Sequence, residues 1–433
     1  MKQRERKINK TERTEQEIPS ILSKVRLLHG DRVLWVIIPI LMVISILVVY
    51  SSGVKYDTPT GNSTSANLWK HTIVIIIALV CLLIAYRFNA KTYRRLAPIA
   101  YLASLVLTVA VYFIGDSTNG AARWIDFGFF MLQPSELLKL APVIFMARQL
   151  AMKQKNITSQ RLVPSFNPMK WREPAQKRIW MEGTLPVLLP VALSCIIILP
   201  AHTSSALLVF IISFMMMFIA RVRWQDLLKI LAVVAAAATL FVAVGAGRST
   251  TIRNRIGTFF TDNSMPLGEK PLNQLTDPEH AIIAIHDGGI IGVGAGQSVM
   301  RAKITHPESD YMFAFFVEEY GIVMALFLLA IYAWIFVRAI NIFKRSEWIF
   351  AGLLAVGLAS LVTVQALLHI LVSVDSFPET GQNLPLVSHG GTSMLCTAVA
   401  LGIILAISRQ IEEGSLIPTD RGEKFDTPTP ENL

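Results

Sequence analysis

The chain is 433 residues long, 53% hydrophobic and 16% charged, with a formal net charge of +10 and a mean hydropathy of +0.51. Soluble domains are usually about a quarter charged, so a soluble globular fold is excluded. The basic surplus does not indicate nucleic acid either, because Lys and Arg cluster in short segments between apolar runs of about 20 residues, the length a membrane-spanning helix requires.

In chain order, a charged tail occupies 1–32, a membrane domain 33–408 and a polar tail 409–433. The expected class is an all-α polytopic membrane protein. Ten spans are predicted near 33–51, 69–87, 96–114, 134–151, 184–200, 204–220, 227–246, 312–338, 349–374 and 385–408. The first follows a long polar tail and reads as a retained anchor. Cys81, Cys195 and Cys396 all fall in apolar runs, as small buried filler without disulfide or metal spacing. Basic segments at the N-terminus, 86–95, 153–178, 221–224 and 338–345 share one side, while the loops at 52–68, 114–133 and 375–384 are poor in Lys and Arg. Both termini are therefore expected in the cytoplasm. A large extracytoplasmic loop, about 247–311, precedes the eighth span, too long for a simple connector. It holds Arg248, Arg253, Arg255, Lys270, Arg301 and Lys303. These are candidate anion ligands or ordinary solvated charges.

Four motifs carry the chemistry. The first is "HPESDYMFAFFVEEYG" (306–321), which places Asp310 at the mouth of the eighth span and Glu318 about 12 Å deeper at 1.5 Å per residue. Asp310 suits a helix N-cap as well as a catalytic role. A carboxylate as deep as Glu318 needs a polar cavity or a partner. The second, "STNGAARWIDFGFFMLQPSELLKL" (117–140), offers Arg123 for an anionic headgroup and Trp124 for the interface, as a headgroup contact or an aromatic-belt residue. Glu136 and Lys139 in it lie three apart on one helical face and are expected to pair beside the cavity.

The third, "IHDGGIIGVGAGQS" (285–298), lacks both the dinucleotide and the phosphate-loop fingerprints. Its glycines suit close backbone packing or a re-entrant segment. The fourth, "PETGQNLPLVSHGGTSM" (378–394), joins Pro385 to Gly390 and Gly391 at a broken entrance to the last span, with Ser388 and His389 as donors. His280, His286, His306 and His389 show no helical metal-ligand spacing.

Taken together, "NGAARWIDFG…QPSELLKL", "GGIIGVGAGQS", "PESDYMFAFFVEEYG" and "TGQNLPLVSHGGTSM" resemble the SEDS family (shape, elongation, division and sporulation proteins) over about 33–408. The resemblance implies a peptidoglycan glycosyltransferase that polymerises lipid II, the undecaprenyl-pyrophosphate-linked disaccharide-pentapeptide, outside the cytoplasmic membrane. It also implies a class B penicillin-binding transpeptidase and division-complex proteins as partners. The family's essential acid falls on Asp310, its paired Glu on Glu318, its Arg-Trp on Arg123 and Trp124, and its Ser-Glu…Lys on Ser135, Glu136 and Lys139. This sequence departs from the family pattern at His389 (usually Tyr), near His369 (usually Asn) and at "PAHT" (200–203), and the segment before Asp310 is slightly shorter. The long charged tails resemble division members more than elongation members.

For such an inverting transfer, Asp310 would be the general base for the acceptor hydroxyl. Arg123, Arg255 and other loop arginines would stabilise the leaving pyrophosphate, with a divalent cation (Mg or Mn) as a further candidate. Trp124, Glu136, Lys139, Glu318, Ser388 and Gly390 complete the candidate substrate site. Rival readings are a lipid II flippase, an elongation-type polymerase and a non-catalytic scaffold for the transpeptidase.

Overall fold

The computed structural model describes residues 29–53, 64–118, 121–126, 131–154, 162–164, 173–244, 257, 275–304 and 309–416. Its helices are α1 (Arg32–Gly53), α2 (Thr64–Arg87), α3 (Ala90–Ile114), α4 (Pro134–Met152), α5 (Pro174–Ile198, with a π-helical turn at Ile179–Thr184), α6 (Thr203–Ile219), α7 (Trp224–Val244), α8 (Asp277–Gly288), α9 (Met312–Arg345), α10 (Ile349–Ser373) and α11 (Gly391–Glu412). Among the described residues, eight helices are long and apolar enough to cross a membrane. The others include α6, apolar but only 17 residues long, and α4, which carries Glu136, Lys139 and Arg148.

The all-helical expectation needs one correction. Between α3 and α4 lies a three-stranded antiparallel sheet, β1 (Asp116–Thr118), β2 (Ala121–Asp126) and β3 (Met131–Leu132). Thr118 pairs with Ala121 and Ser117 with Ala122. The two residues between β1 and β2 are Asn-Gly, the strongest short hairpin signal in a sequence. A second correction concerns the large loop, which contains α8. Thr276 and Glu279 form a capping box there, with Pro278 in the first turn, so the start signal was present in the sequence.

Burial sorts the helices. The apolar windows of α10 and α11 are 78% buried while that of α7 is 17% buried, so α10 and α11 form the middle of the bundle and α7 its margin. The core includes Trp348, Phe350, Leu353, Leu354, Leu401 and Ile404. α11 packs most heavily on α2, α9 on α10, and α8 on α9. At the end of the bundle remote from Asp310, Asp31 caps α1 by accepting from the Val33 and Leu34 amides at 3.0 and 3.2 Å. Its other oxygen lies 2.6 Å from Arg338 on α9.

α9 is broken. Gly321 has φ 79° and ψ 172°, outside the helical region. Before the break, Met312 to Glu319 are all buried. After it, Val323, Leu326 and Phe327 are exposed apolar side chains. The unwound turn is closed by the glycine-rich segment after α8: Val293 and Gly294 amides donate to the Glu318 and Glu319 carbonyls, and the Ile322 amide donates to the Gly289 carbonyl at 3.0 Å. A Cβ on Gly288, Gly292 or Gly321 would strike the opposing backbone, so only glycine permits this approach. Irregular backbone within an apolar bundle persists only where its polar groups are satisfied by protein.

Candidate functional site

Asp310 stands one residue before the N-cap of α9. That cap is Tyr311, and no side chain caps the helix. The carboxylate of Asp310 is half-buried and accepts from Ser309 Oγ at 3.2 Å. Facing it is an extended strap, residues 379–390, leading into α11. Gly381 of the strap has φ +60°, and a Cβ there would lie 3.9 and 4.0 Å from the two Asp310 oxygens. A larger side chain at 381 would cover the carboxylate.

The strap is held by side chains from five helices and from the Asp310 segment. Ser45 Oγ donates to the Val387 carbonyl at 3.0 Å, Tyr332 to Pro385 at 2.6 Å, Gln365 Nε2 to Asn383 at 2.8 Å and Ser204 to Thr380 at 2.5 Å. His369 Nδ1 lies 2.6 Å from the Gln382 carbonyl. Ser388 Oγ accepts from the Leu384 amide at 2.8 Å and donates to the Ser309 carbonyl at 3.1 Å, joining strap to Asp310 segment. Tyr311 donates its hydroxyl to Glu379 at 2.8 Å. Burial, then the Glu379 carboxylate, raises the Tyr311 hydroxyl far above its usual range, so it stays a donor.

Glu136 and Lys139 form the expected pair, 2.7 Å apart and almost fully buried. Lys139 also donates to Gln382 Oε1 at 3.0 Å and to Gln365 Oε1 at 3.3 Å. The pair lines a cavity of about 10 Å³ with Leu361, Gln365, Cys396 and Thr397, room for about one water. Its documented partner is thus the strap, through Gln382.

Glu318 is 1% exposed and accepts from Ser298 Oγ at 2.5 Å and from the Val299 and Met300 amides at 2.7 and 3.2 Å. These partners belong to the glycine-rich segment and the 3₁₀ turn Met300–Ala302 after it, rather than to an open cavity. Glu319 accepts from Ser51 Oγ at 2.5 Å and the Gly296 amide at 2.9 Å. Arg301, expected to be a loop anion ligand, is 5% exposed and donates to the Ser51 carbonyl.

Gly390 is the N-cap of α11, and its missing Cβ leaves room for the Asn383 side chain. Trp124 is half-buried in β2. The sheet reaches the same end of the bundle: Thr392 in the first turn of α11 donates to the Met131 carbonyl at 3.0 Å and accepts from the Gln133 amide at 3.1 Å. Arg123 lies in β2. Arg248, Arg253, Arg255 and Lys270 fall outside the described residues. Among the described residues no group of three or more His, Cys, Asp or Glu side chains is arranged to hold a metal ion.

The sequence reading missed Gln365, His369, Gly381 and Gln382. Gln365 and His369 carried a legible signal: two polar residues four apart, on one face of an otherwise apolar span.

A bundle of apolar helices with buried acids, a broken span and a polar strap at one end is an integral membrane protein with a site near one mouth of the bundle. Residues 31–413 match the model of the FtsW/RodA/SpoVE family, described as cell cycle protein, and the chain belongs to that family. It is 28% identical over 396 residues to the probable peptidoglycan glycosyltransferase FtsW of Burkholderia thailandensis, covering 89% of this chain and 80% of that one. It is 27% identical to the protein of the same name from Haemophilus influenzae, covering 88% and 90%. Its fold is similar to a chain solved in a study of polymerization and crosslinking by a peptidoglycan synthase complex, with a TM-score of 0.67 at 21% identity over 88% of this chain and 98% of that one. It is also similar to the rod shape determining protein RodA of Thermus thermophilus, with a TM-score of 0.57 at 21% identity over 89% and 98%.

Proposed function

We propose that this protein is a peptidoglycan glycosyltransferase that polymerises lipid II into glycan strands for septal wall synthesis during cell division. The observation that carries the chemical assignment is Asp310: a half-buried carboxylate at the mouth of the bundle, not the N-cap residue of α9, facing Gly381, where a Cβ would lie 3.9 and 4.0 Å from its oxygens. The relatives named peptidoglycan glycosyltransferase support the reaction class.

Transfer from an α-linked pyrophosphate to a β-1,4 bond inverts the anomeric centre in one displacement. It needs a base for the acceptor 4-hydroxyl and stabilisation for the departing pyrophosphate. Asp310 takes the proton. Ser309 donates to one of its two oxygens at 3.2 Å. Arg123 and the loop arginines, Arg255 among them, offset the charge developing on the pyrophosphate. Trp124, Ser388 and Gly390 border the headgroup. Glu136, Lys139 and Glu318 act on it through the strap and the glycine-rich segment.

In this reading α4 and α6 also cross the membrane and bring the spans to ten, both termini are cytoplasmic, and the Asp310 end faces outward from the cytoplasmic membrane. A class B penicillin-binding transpeptidase and division-complex proteins are the partners. Purified protein incubated with lipid II in detergent, with and without the transpeptidase, tests the function. Glycan polymer is expected. Translocation of lipid II in sealed vesicles without polymer would make it a flippase instead, and transpeptidase binding with neither activity would make it a scaffold.

A further inference from the structure

The first N–H groups of a helix have no partner within it and are usually capped by a side chain just before. The N-cap of α9 makes no such bond. The Phe313 amide, in the first turn, donates instead to His369 Nε2 at 3.2 Å. The other ring nitrogen, Nδ1, sits 2.6 Å from the Gln382 carbonyl. A carbonyl only accepts, so Nδ1 carries the proton and Nε2 is bare, and the two partners fix one neutral tautomer.

The ring therefore spans the two walls around Asp310. Phe313, in the first turn of α9, is three residues after Asp310 in the chain. Gln382 is next to Gly381, which faces the Asp310 oxygens. Gln382 is fixed on its far side as well, where its Nε2 donates to Ser204 and Ser205, each at 3.0 Å, and its Oε1 accepts from Lys139. His369 is 1% exposed. A residue there only to fill space would need volume; this one also supplies one donor and one acceptor, both used.

We propose that His369 is a positioning residue: its imidazole clamps the first turn of α9 to the strap and so sets the Asp310 carboxylate for proton abstraction. This rests on the reading of Asp310 as the base. Two variants separate the clamp from packing. His369→Leu keeps apolar volume and removes both bonds, while His369→Asn supplies one donor and one acceptor. Polymerisation kinetics with lipid II and hydrogen exchange of the peptide containing Phe313 are measured on the purified full chain. His369→Leu is expected to lower kcat about 10–100-fold, the size of effect that a misplaced reacting group produces, with KM nearly unchanged and faster exchange at Phe313. His369→Asn is expected to stay close to the parent in all three.

A folded His369→Leu protein with parental kcat or parental exchange would overturn the clamp, as would an Asn variant as impaired as the Leu variant. If His369→Leu does not insert, His369→Asn decides alone: near-parental kcat and exchange support the clamp, and a folded variant slowed about tenfold or more contradicts it. If the parent makes no polymer, the functional reading fails, and the exchange comparison still decides the clamp.

Discussion

The start of α4 and the break in α9 both bury carboxylates, and they do it differently. At the start of α4, Glu136 is neutralised by a cation, Lys139 at 2.7 Å. At the break in α9, Glu318 is held by a hydroxyl and two amides, and Glu319 by a hydroxyl and one amide. The first arrangement joins helix to strap by charge. The second uses the carboxylate to cap a loop that glycine alone allows to come so close. Asp310 lies half-buried at the mouth of the bundle and accepts from the Ser309 hydroxyl. The contrast is between acids fixed inside the bundle and an acid at its rim.

Breaking the charge-based region should have the largest effect on folding. Glu136→Gln or Lys139→Met leaves one uncompensated buried charge, a loss of about 3–5 kcal/mol. Thermal unfolding in detergent, followed by exposure of Cys81, Cys195 and Cys396 to a thiol-reactive dye, would show it. The exchange of both charges, Glu136→Lys with Lys139→Glu, should recover part of the loss; single variants as stable as the parent would show that the ion pair is not structural. In the amide-based region, Gly321→Ala forces a side chain into φ 79° and against the Ile290 carbonyl, a cost of about 1–3 kcal/mol from backbone strain before any clash. The same dye assay reads it, and limited proteolysis should cut the glycine-rich segment sooner. Glu318→Gln presents an amide hydrogen to a site built of donors and should cost about 1–3 kcal/mol by leaving one of them unsatisfied. If Glu318→Gln were as damaging as Lys139→Met, the proposed contrast between the two regions would collapse. The smallest effect belongs to the far end: Arg338→Ala removes one partner of Asp31, which is 4% exposed but keeps its two amide donors, and should cost about 1–2 kcal/mol.

Much of this was legible from the residues. Apolar runs gave the helical class, and the three-residue spacing of Glu136 and Lys139 gave their pairing. The glycines of the 285–298 segment were expected to permit close backbone contact, and Gly288 and Gly292 do so, against Val317 and Glu319. The small sheet was missed because membrane periodicity dominates the reading of a chain this apolar, and three short strands between two long helices contribute little pattern. The strap was legible only as a broken entrance to the last span. Its partners Ser45 and Tyr332 come from helices far away in sequence, and Gln365 and His369 from the preceding helix, and no local rule links the four. For Glu318, depth alone says that a buried acid needs a polar cavity or a partner, not which one; the partners are the Ser298 hydroxyl and the Val299 and Met300 amides, 18 to 20 residues upstream.

The central claim is that Asp310 is the base, and Asp310→Asn tests it most directly. The substitution keeps shape and removes basicity, and Asn serves a helix N-terminus about as well as Asp. Polymerisation of lipid II by the purified variant, measured beside the parent with insertion and transpeptidase binding as controls, should fall about 10²–10⁴-fold while both controls stay normal. A variant that inserts normally and still polymerises at more than about a tenth of the parent rate would contradict the account.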